Sequence, residues 1–174
     1  MDMDNNDILI RLRYALDIKD TDMVKIFKLG EYDVTREEVR KILIKTKDSE
    51  EEDVEPDDIV QDNIPCNHMM LESFLNGLII HKRGKQESDS GQTERPPMMI
   101  KGDGSVNNVL LKKLRIALTL TSEDIIQILN DAGVIISKGE LSALLRKEGH
   151  HNYRECGDRY ARNFLKGLGM RYRG

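Results

Sequence analysis

Apolar residues recur along this chain at helical rather than alternating intervals. Ile8, Leu9, Leu12, Ala15 and Leu16 fall at i, i+1, i+4, i+7 and i+8, which places them on one face of a helix. Leu110, Leu111, Leu114, Ala117 and Leu118 repeat that spacing. Met23, Val24 and Phe27 are matched in the same way by Ile125, Ile126 and Leu129, and Leu71, Phe74, Leu75 and Leu78 by Ala161, Phe164, Leu165 and Leu168. Nothing alternates over strand length, so no strand is predicted.

The recurrence is an internal repeat. Residues 5–45 align without a gap to 107–147 at an offset of 102, with 12 of 41 positions identical. The offset then falls to 90, where Cys66 pairs with Cys156 and FLNGLIIHKRG (74–84) with FLKGLGMRYRG (164–174). The first copy therefore carries 12 residues that the second lacks.

Each copy predicts four helices. The asparagine pairs Asn5-Asn6 and Asn107-Asn108 stand as N-caps of the first, and Asp20 or Thr21, and Ser122, as caps of the second, over 21–29 and 122–131. Thr35-x-x-Glu38 and Ser137-x-x-Glu140 are capping boxes that start the third. The fourth covers 67–82 and 157–171, where Gly77 and Gly167 allow a close helix crossing despite a propensity cost of about 1 kcal/mol. The fold class is thus all-α: two tandem pseudo-symmetric units of about four helices, with helix-turn-helix-like corners. The first unit spans 1–84, a flexible linker rich in Gly, Ser, Pro and charge spans 85–104, and the second unit spans 105–174. Five Tyr, three Phe and no Trp leave little aromatic mass for two separate cores, so the units are expected to share one about a pseudo-twofold.

Charge changes the picture of the extra residues. The chain has 27 basic and 31 acidic residues, net −4, but 46–63 alone holds nine acidic residues and one lysine. That segment is −8 and the remainder +4, so the acidity belongs to the insertion. The absence of an apolar run near 18 residues and the acidic start MDMDNND argue against a membrane span or a targeting peptide, and a cytoplasmic location is expected. Two cysteines, Cys66 and Cys156, do not make a disulfide framework.

The strings NNDILIRLRYAL, NNVLLKKLRIAL and GHHNYRECGDRYARNFLKGL resemble the DUF1456 family of uncharacterised bacterial proteins, which carry two tandem copies of one domain. The resemblance covers 5–45, 64–84 and 107–174. It implies the fold and a bacterial cytosolic setting, and it transfers no activity, cofactor or site residue. At 46–63 this chain departs from the family pattern, which implies a much shorter connection there.

Candidate chemistry is cationic. Residues 138–174 hold nine Lys/Arg against four Asp/Glu, with Arg159, Arg162 and Lys166 at i, i+3 and i+7 and Tyr153, Tyr160 and Tyr172 interleaved. Guanidinium groups engage phosphate and aromatic rings stack on bases, the composition of a nucleic-acid binder. The same stripe is also what the solvated face of a terminal helix looks like. The corner between the second and third helices resembles a helix-turn-helix, with Lys138, Gly139, Ser142 and Arg146 outward in one copy and Arg36, Glu37, Arg40 and Lys41 in the other. A capped helical corner is equally a way to pack helices. Cys66, His68, His150, His151 and Cys156 would form a four-ligand zinc site only if their segments met, and their spacing is not that of a zinc finger. No G-x-S-x-G, H-E-x-x-H, P-loop or G-x-G-x-x-G occurs, so neither enzyme chemistry nor a cofactor is expected.

Two functions follow. The first is DNA or RNA binding, or a related regulatory role, through Lys138, Arg146, Arg154, Arg159, Arg162 and Lys166, with the acidic insertion either an idle solvated loop or an internal competitor acting within a Debye length. The alternative is a protein–protein interaction module that uses the groove between repeats or the acidic segment. Oligomeric state is not fixed by the sequence.

Overall fold

The computed structural model describes residues 3–44, 63–83, 86–87, 93–94 and 96–173. Of the acidic insertion only Asn63 lies inside these residues, so the internal-competitor expectation falls outside them. Helices α1 (Asn5–Leu16), α2 (Asp20–Leu29), α3 (Arg36–Ile42) and α4 (His68–Arg83) form the first copy. Helices α5 (Val106–Ala117), α6 (Ser122–Asp131), α7 (Lys138–Leu145) and α8 (Asp158–Tyr172) form the second. The fold is all-α, two tandem four-helix units. One short addition departs from the helical reading: strands β1 (Gln86–Glu87) and β2 (Thr93–Glu94) pair antiparallel, with Gln86 opposite Glu94.

Both predicted capping boxes form, Thr35 with Glu38 and Ser137 with Glu140. The second helices start differently from the expectation. Thr121, not Ser122, caps α6 in a box with Asp124, whereas α2 follows Lys19 and has no side-chain cap. The asparagines are not caps either. Asp4 caps α1 by accepting from the Asp7 N–H, and α5 continues from a 3-10 turn over Asp103–Ser105.

Asn6 and Asn108 instead sit inside the first turns and are buried. Asn6 donates to the Ile42 and Ile64 carbonyls at 2.8 Å each and accepts from the Cys66 N–H at 2.9 Å. Asn108 repeats this with Leu144 at 2.9 Å, Arg154 at 2.8 Å and the Cys156 N–H at 2.8 Å. Each amide thus ties the first helix of its copy to the end of the third and to the strand-like entry to the fourth. Their neighbours Asn5 and Asn107 hold the Cys66 and Cys156 carbonyls at 3.0 Å.

Glycine sets the crossing of α2 with α4. A Cβ on Gly77 would lie 1.7 Å from the Ile26 carbonyl oxygen, and one on Gly30 1.7 Å from that of Ser73. On α8, Gly167 plays the part of Gly77, with a Cβ meeting the Ile128 carbonyl at 2.3 Å. The repeat extends to backbone conformation: Asp17 and its counterpart Thr119 both turn left-handed at φ 52°. At the base of the insertion the chain forms a neck, where Asn63 donates to the Lys41 and Ile44 carbonyls at 3.1 and 2.8 Å and the Ile64 N–H to Lys41 at 3.2 Å.

The copies interlock. Helix α4 packs on α5 of the second copy, and α8 packs on α1 of the first. Buried residues of all eight helices, among them Leu9, Phe27, Val39, Phe74, Leu114, Ile125, Leu141 and Phe164, belong to a single core. Ala in place of Asn108 strands two carbonyls and an N–H and is expected to cost about 3 kcal/mol. Gly77→Ala is expected to cost about 3 kcal/mol or more by overpacking, whereas Gly169→Ala, whose Cβ would meet only Ala15 at 3.7 Å, should stabilise by about 0.5–1 kcal/mol. Urea denaturation followed by circular dichroism separates the three outcomes.

Candidate functional site

Interlocking creates two junctions between the copies, related by the repeat and chemically different. At the α4–α5 junction a charge pair is fully enclosed: Lys113 Nζ lies 3.0 Å from Glu72 Oε2, with each side chain 2% exposed. Residues 96–100 cross this junction as a strap rather than forming part of a flexible linker. Glu72 accepts from the Met99 N–H and, at 2.8 Å, from the Ile100 N–H. Lys113 donates to the Pro97 carbonyl at 2.7 Å and to Asn76 Oδ1, and Asn76 donates to the Pro96 carbonyl at 3.1 Å. Burial pulls the Lys113 ammonium below its ordinary pKa, against the opposing pull of Glu72. Every formal charge here has partners, which is what makes its burial tolerable.

At the α1–α8 junction the same geometry leaves an open groove of about 740 Å3, lined by Asp7, Ile10, Arg11, Tyr14, Leu165, Lys166, Gly169, Met170 and Arg173. Tyr14 is 66% and Met170 48% exposed, and Arg11 and Lys166 are exposed on opposite walls. At one end Arg173 stacks over the Tyr14 ring, 4.3 Å from its centroid, and binds the Tyr14 carbonyl and Asp17 at 3.1 Å each. The floor is apolar and the walls carry three cations against Asp7.

Of the six residues predicted for nucleic acid, Lys166 lines this groove and Arg162 stands one turn before it on α8. Arg159 is exposed at the start of the same helix. The remaining three lie elsewhere. Lys138 pairs with Glu123 at 3.1 Å, and a backbone hydrogen bond together with Lys138 holds the Glu123 carboxyl below the usual range. Arg146 closes α7, with its carbonyl bonded to Lys112 at 2.7 Å, and Arg154 lies in the segment that Asn108 clamps. In the first copy Arg40 faces Asp20 at 3.5 Å and Lys41 faces Glu37 at 3.8 Å. The corner cations are therefore interleaved with acids. Arg11, Tyr14 and Arg173 were not singled out by sequence, although the repeat aligns Arg11 with the buried Lys113.

A family model described as a protein of unknown function, DUF1456, matches residues 5–84 and 107–174. The chain belongs to the DUF1456 family. It is 40% identical over 167 residues, 96% of this chain and 95% of the relative, to "Uncharacterized protein YehS" of Escherichia coli (strain K12). No solved structure matches it. The strap of this DUF1456 chain falls between the two matched spans.

The cysteine and histidine candidates divide between several places. Cys66 and Cys156 are buried, and burial pushes each thiol up to about 12, with nearby carboxylates adding to the effect. His68 accepts at Nδ1 from the Asn5 amide at 3.0 Å and donates from Nε2 to Asp103 at 2.8 Å, beside a cavity of about 450 Å3 where the copies meet. His150 and His151 stack on each other, exposed, in the turn after α7. Among the described residues, no three His, Cys, Asp or Glu side chains are grouped to hold a metal ion. No described helix is long and apolar enough to cross a membrane.

An unfolded cysteine ionises near pH ~8.5, well below the folded value. The stability contributed by the two thiols is therefore complete below that pH and is lost as pH rises towards 12. Iodoacetamide at pH 8.5 is expected to leave both thiols of the native protein unlabelled and to modify both in urea. Removing either partner of the enclosed charge pair, Lys113→Ala or Glu72→Ala, is expected to cost about 3–5 kcal/mol in urea denaturation, because the other charge remains buried.

Proposed function

We propose that this DUF1456 chain is a non-catalytic cytoplasmic binding protein that docks a protein partner in the groove between α1 and α8. The observation that carries this reading is the groove's composition: an apolar floor of Ile10, Tyr14, Leu165 and Met170 between the cationic walls of Arg11, Lys166 and Arg173. Buried apolar surface with a charged rim is how protein interfaces are built. A thiol held near pH 12 is a poor nucleophile at neutral pH, which supports a binding rather than a catalytic role.

DNA or RNA binding is the second reading, favoured by one observation. Arg159, Arg162 and Lys166 on α8 are joined across the junction by Arg11 of the other copy. Against it, Lys138, Arg40 and Lys41 at the corners face carboxylates, and one face of the Tyr14 ring is taken by Arg173.

Immobilised protein distinguishes the two. A protein partner that survives nuclease treatment, and is retained at least tenfold less by a Tyr14→Glu, Met170→Glu variant, is the expected result. In parallel, affinity for fluorescent duplex DNA and single-stranded RNA is expected to be weak. If instead binding falls steeply with salt, with a log–log slope of roughly −0.7 to −0.9 per phosphate contacted, and is abolished by Arg159→Glu with Arg162→Glu, the nucleic-acid reading replaces the first.

A further inference from the structure

Glu72 and Asn76 stand four residues apart on one face of α4, and Lys113 of α5 bonds to both. Four residues of helix rise about 6 Å, and an extended chain covers nearly that distance in two residues, at ~3.3 Å each. The strap uses this match. It runs antiparallel to α4, with the Pro96 and Pro97 carbonyls on Asn76 and Lys113 and the Met99 and Ile100 N–H groups on Glu72. Among the described residues, the hydrogen bonds of this backbone all run to those three side chains. Ile100 packs against the core and the Met98 sulfur lies 3.4 Å from Asn76 Nδ2, while Pro97 and Met98 are exposed to solvent. The triad is not repeated in sequence, since offsets of 102 and 90 place Arg11, Arg162 and Lys166 at the positions of Lys113, Glu72 and Asn76.

We infer that the α4–α5 face is a recognition site for an extended segment of another protein, of the pattern Pro-Pro-x-x-apolar, and that the strap is its autoinhibitory occupant. This stands apart from docking in the α1–α8 groove, and neither needs the other. The order of donors and acceptors fits one kind of chain. Where the site offers donors, from Asn76 and Lys113, the strap has two prolines, which keep a carbonyl and have no N–H to leave unanswered. Where the site offers a carboxylate, the strap has two residues with N–H groups, and both oxygens of Glu72 accept. Proline also holds the segment extended before it is seated, so less conformational freedom is lost on binding. Tethered within the chain, the strap is present at about millimolar effective concentration, and a partner segment must compete with it. Lifting the strap strands no charge, because Glu72 and Lys113 remain paired with each other and gain water.

The probe is the fluorescein-labelled octapeptide Arg-Pro-Pro-Met-Met-Ile-Lys-Gly of residues 95–102. Its anisotropy is measured against the full chain and against a full-length variant in which residues 96–100 are replaced by Gly-Ser-Gly-Ser-Gly. Saturable binding to the vacated variant is expected, at least tenfold tighter than to the wild type. N-methylating the peptide at the two amides that correspond to Met99 and Ile100 removes the hydrogens that Glu72 accepts, and should weaken binding at least tenfold. If circular dichroism shows the vacated chain unfolded, the Pro96→Gly, Pro97→Gly variant, which loosens the strap without removing it, takes its place under the same tenfold criterion. Equal affinity for loosened and wild-type chains, binding to neither, or undiminished binding of the N-methylated peptide overturns the inference. Tyr14→Glu with Met170→Glu, introduced into the vacated chain, should leave peptide affinity unchanged within twofold. A larger loss there moves the peptide to the α1–α8 groove and also overturns the inference, whereas the docking reading fails by a different result, retention of its protein partner undiminished by that pair of substitutions.

Discussion

In this chain the first helix of each copy is covered by the last helix of the other copy. Small helical units with few aromatics bury too little surface to be stable singly, and the interlock answers that shortage by merging both sets of Leu, Ile and Met into a single core. Everything else is arranged around it. The glycine crossings bring α2 close to α4 and α6 close to α8, so that each last helix is held firmly by its own copy while its opposite face is presented to the other. The asparagine clamps then fix the angle at which each first helix meets the entry of the fourth, because their three hydrogen bonds come from two separate stretches of chain, the end of the third helix and the entry to the fourth.

A duplicated scaffold has two equivalent surfaces, and divergence between them shows what each is for. Replacing an enclosed charge pair with apolar side chains of similar volume is often neutral or stabilising. Lys113 and Glu72 are thus poorly explained as a source of stability and better explained as a register device, since their remaining hydrogen-bonding capacity is directed at particular backbone atoms of Pro97, Met99 and Ile100. The other surface has Arg162 where the acid stands and lines its groove with Arg11, Lys166 and Arg173 beside Asp7. The same helical frame grips its own chain on one side and carries an open groove on the other.

Much of the architecture was legible because it is written locally. The repeat, the helical periodicity, the Thr35 and Ser137 capping boxes and the role of Gly77 and Gly167 as crossing points all depend on near neighbours or on matching copies. The asparagines were misplaced for the opposite reason. An amide next to a helix start satisfies the local cap rule equally well, and only the arrival of Ile64–Cys66 or Arg154–Cys156 shows that its partners are distant. The strap reads as linker by composition, since nothing in Pro96–Ile100 announces the buried charges it meets. The groove was hidden by a similar gap: periodicity says which face of α1 is covered but not that α8 of the other copy covers it, so Arg11 and Tyr14 stood apart from Lys166 and Arg173.

The neck formed by Lys41, Ile44, Asn63 and Ile64 has a consequence for how such a protein can change. Because hydrogen bonds join the two sides of the chain at its base, the two ends are held together by residues outside the insertion, and lengthening a loop costs only about 0.6 kcal/mol per doubling. The position is a natural port for grafting. An epitope, a fluorescent domain or a shortened connector inserted there would be held at two adjacent anchor points, built from residues other than those of the strap site and the groove, and the scaffold could carry it as cargo without renegotiating its own packing.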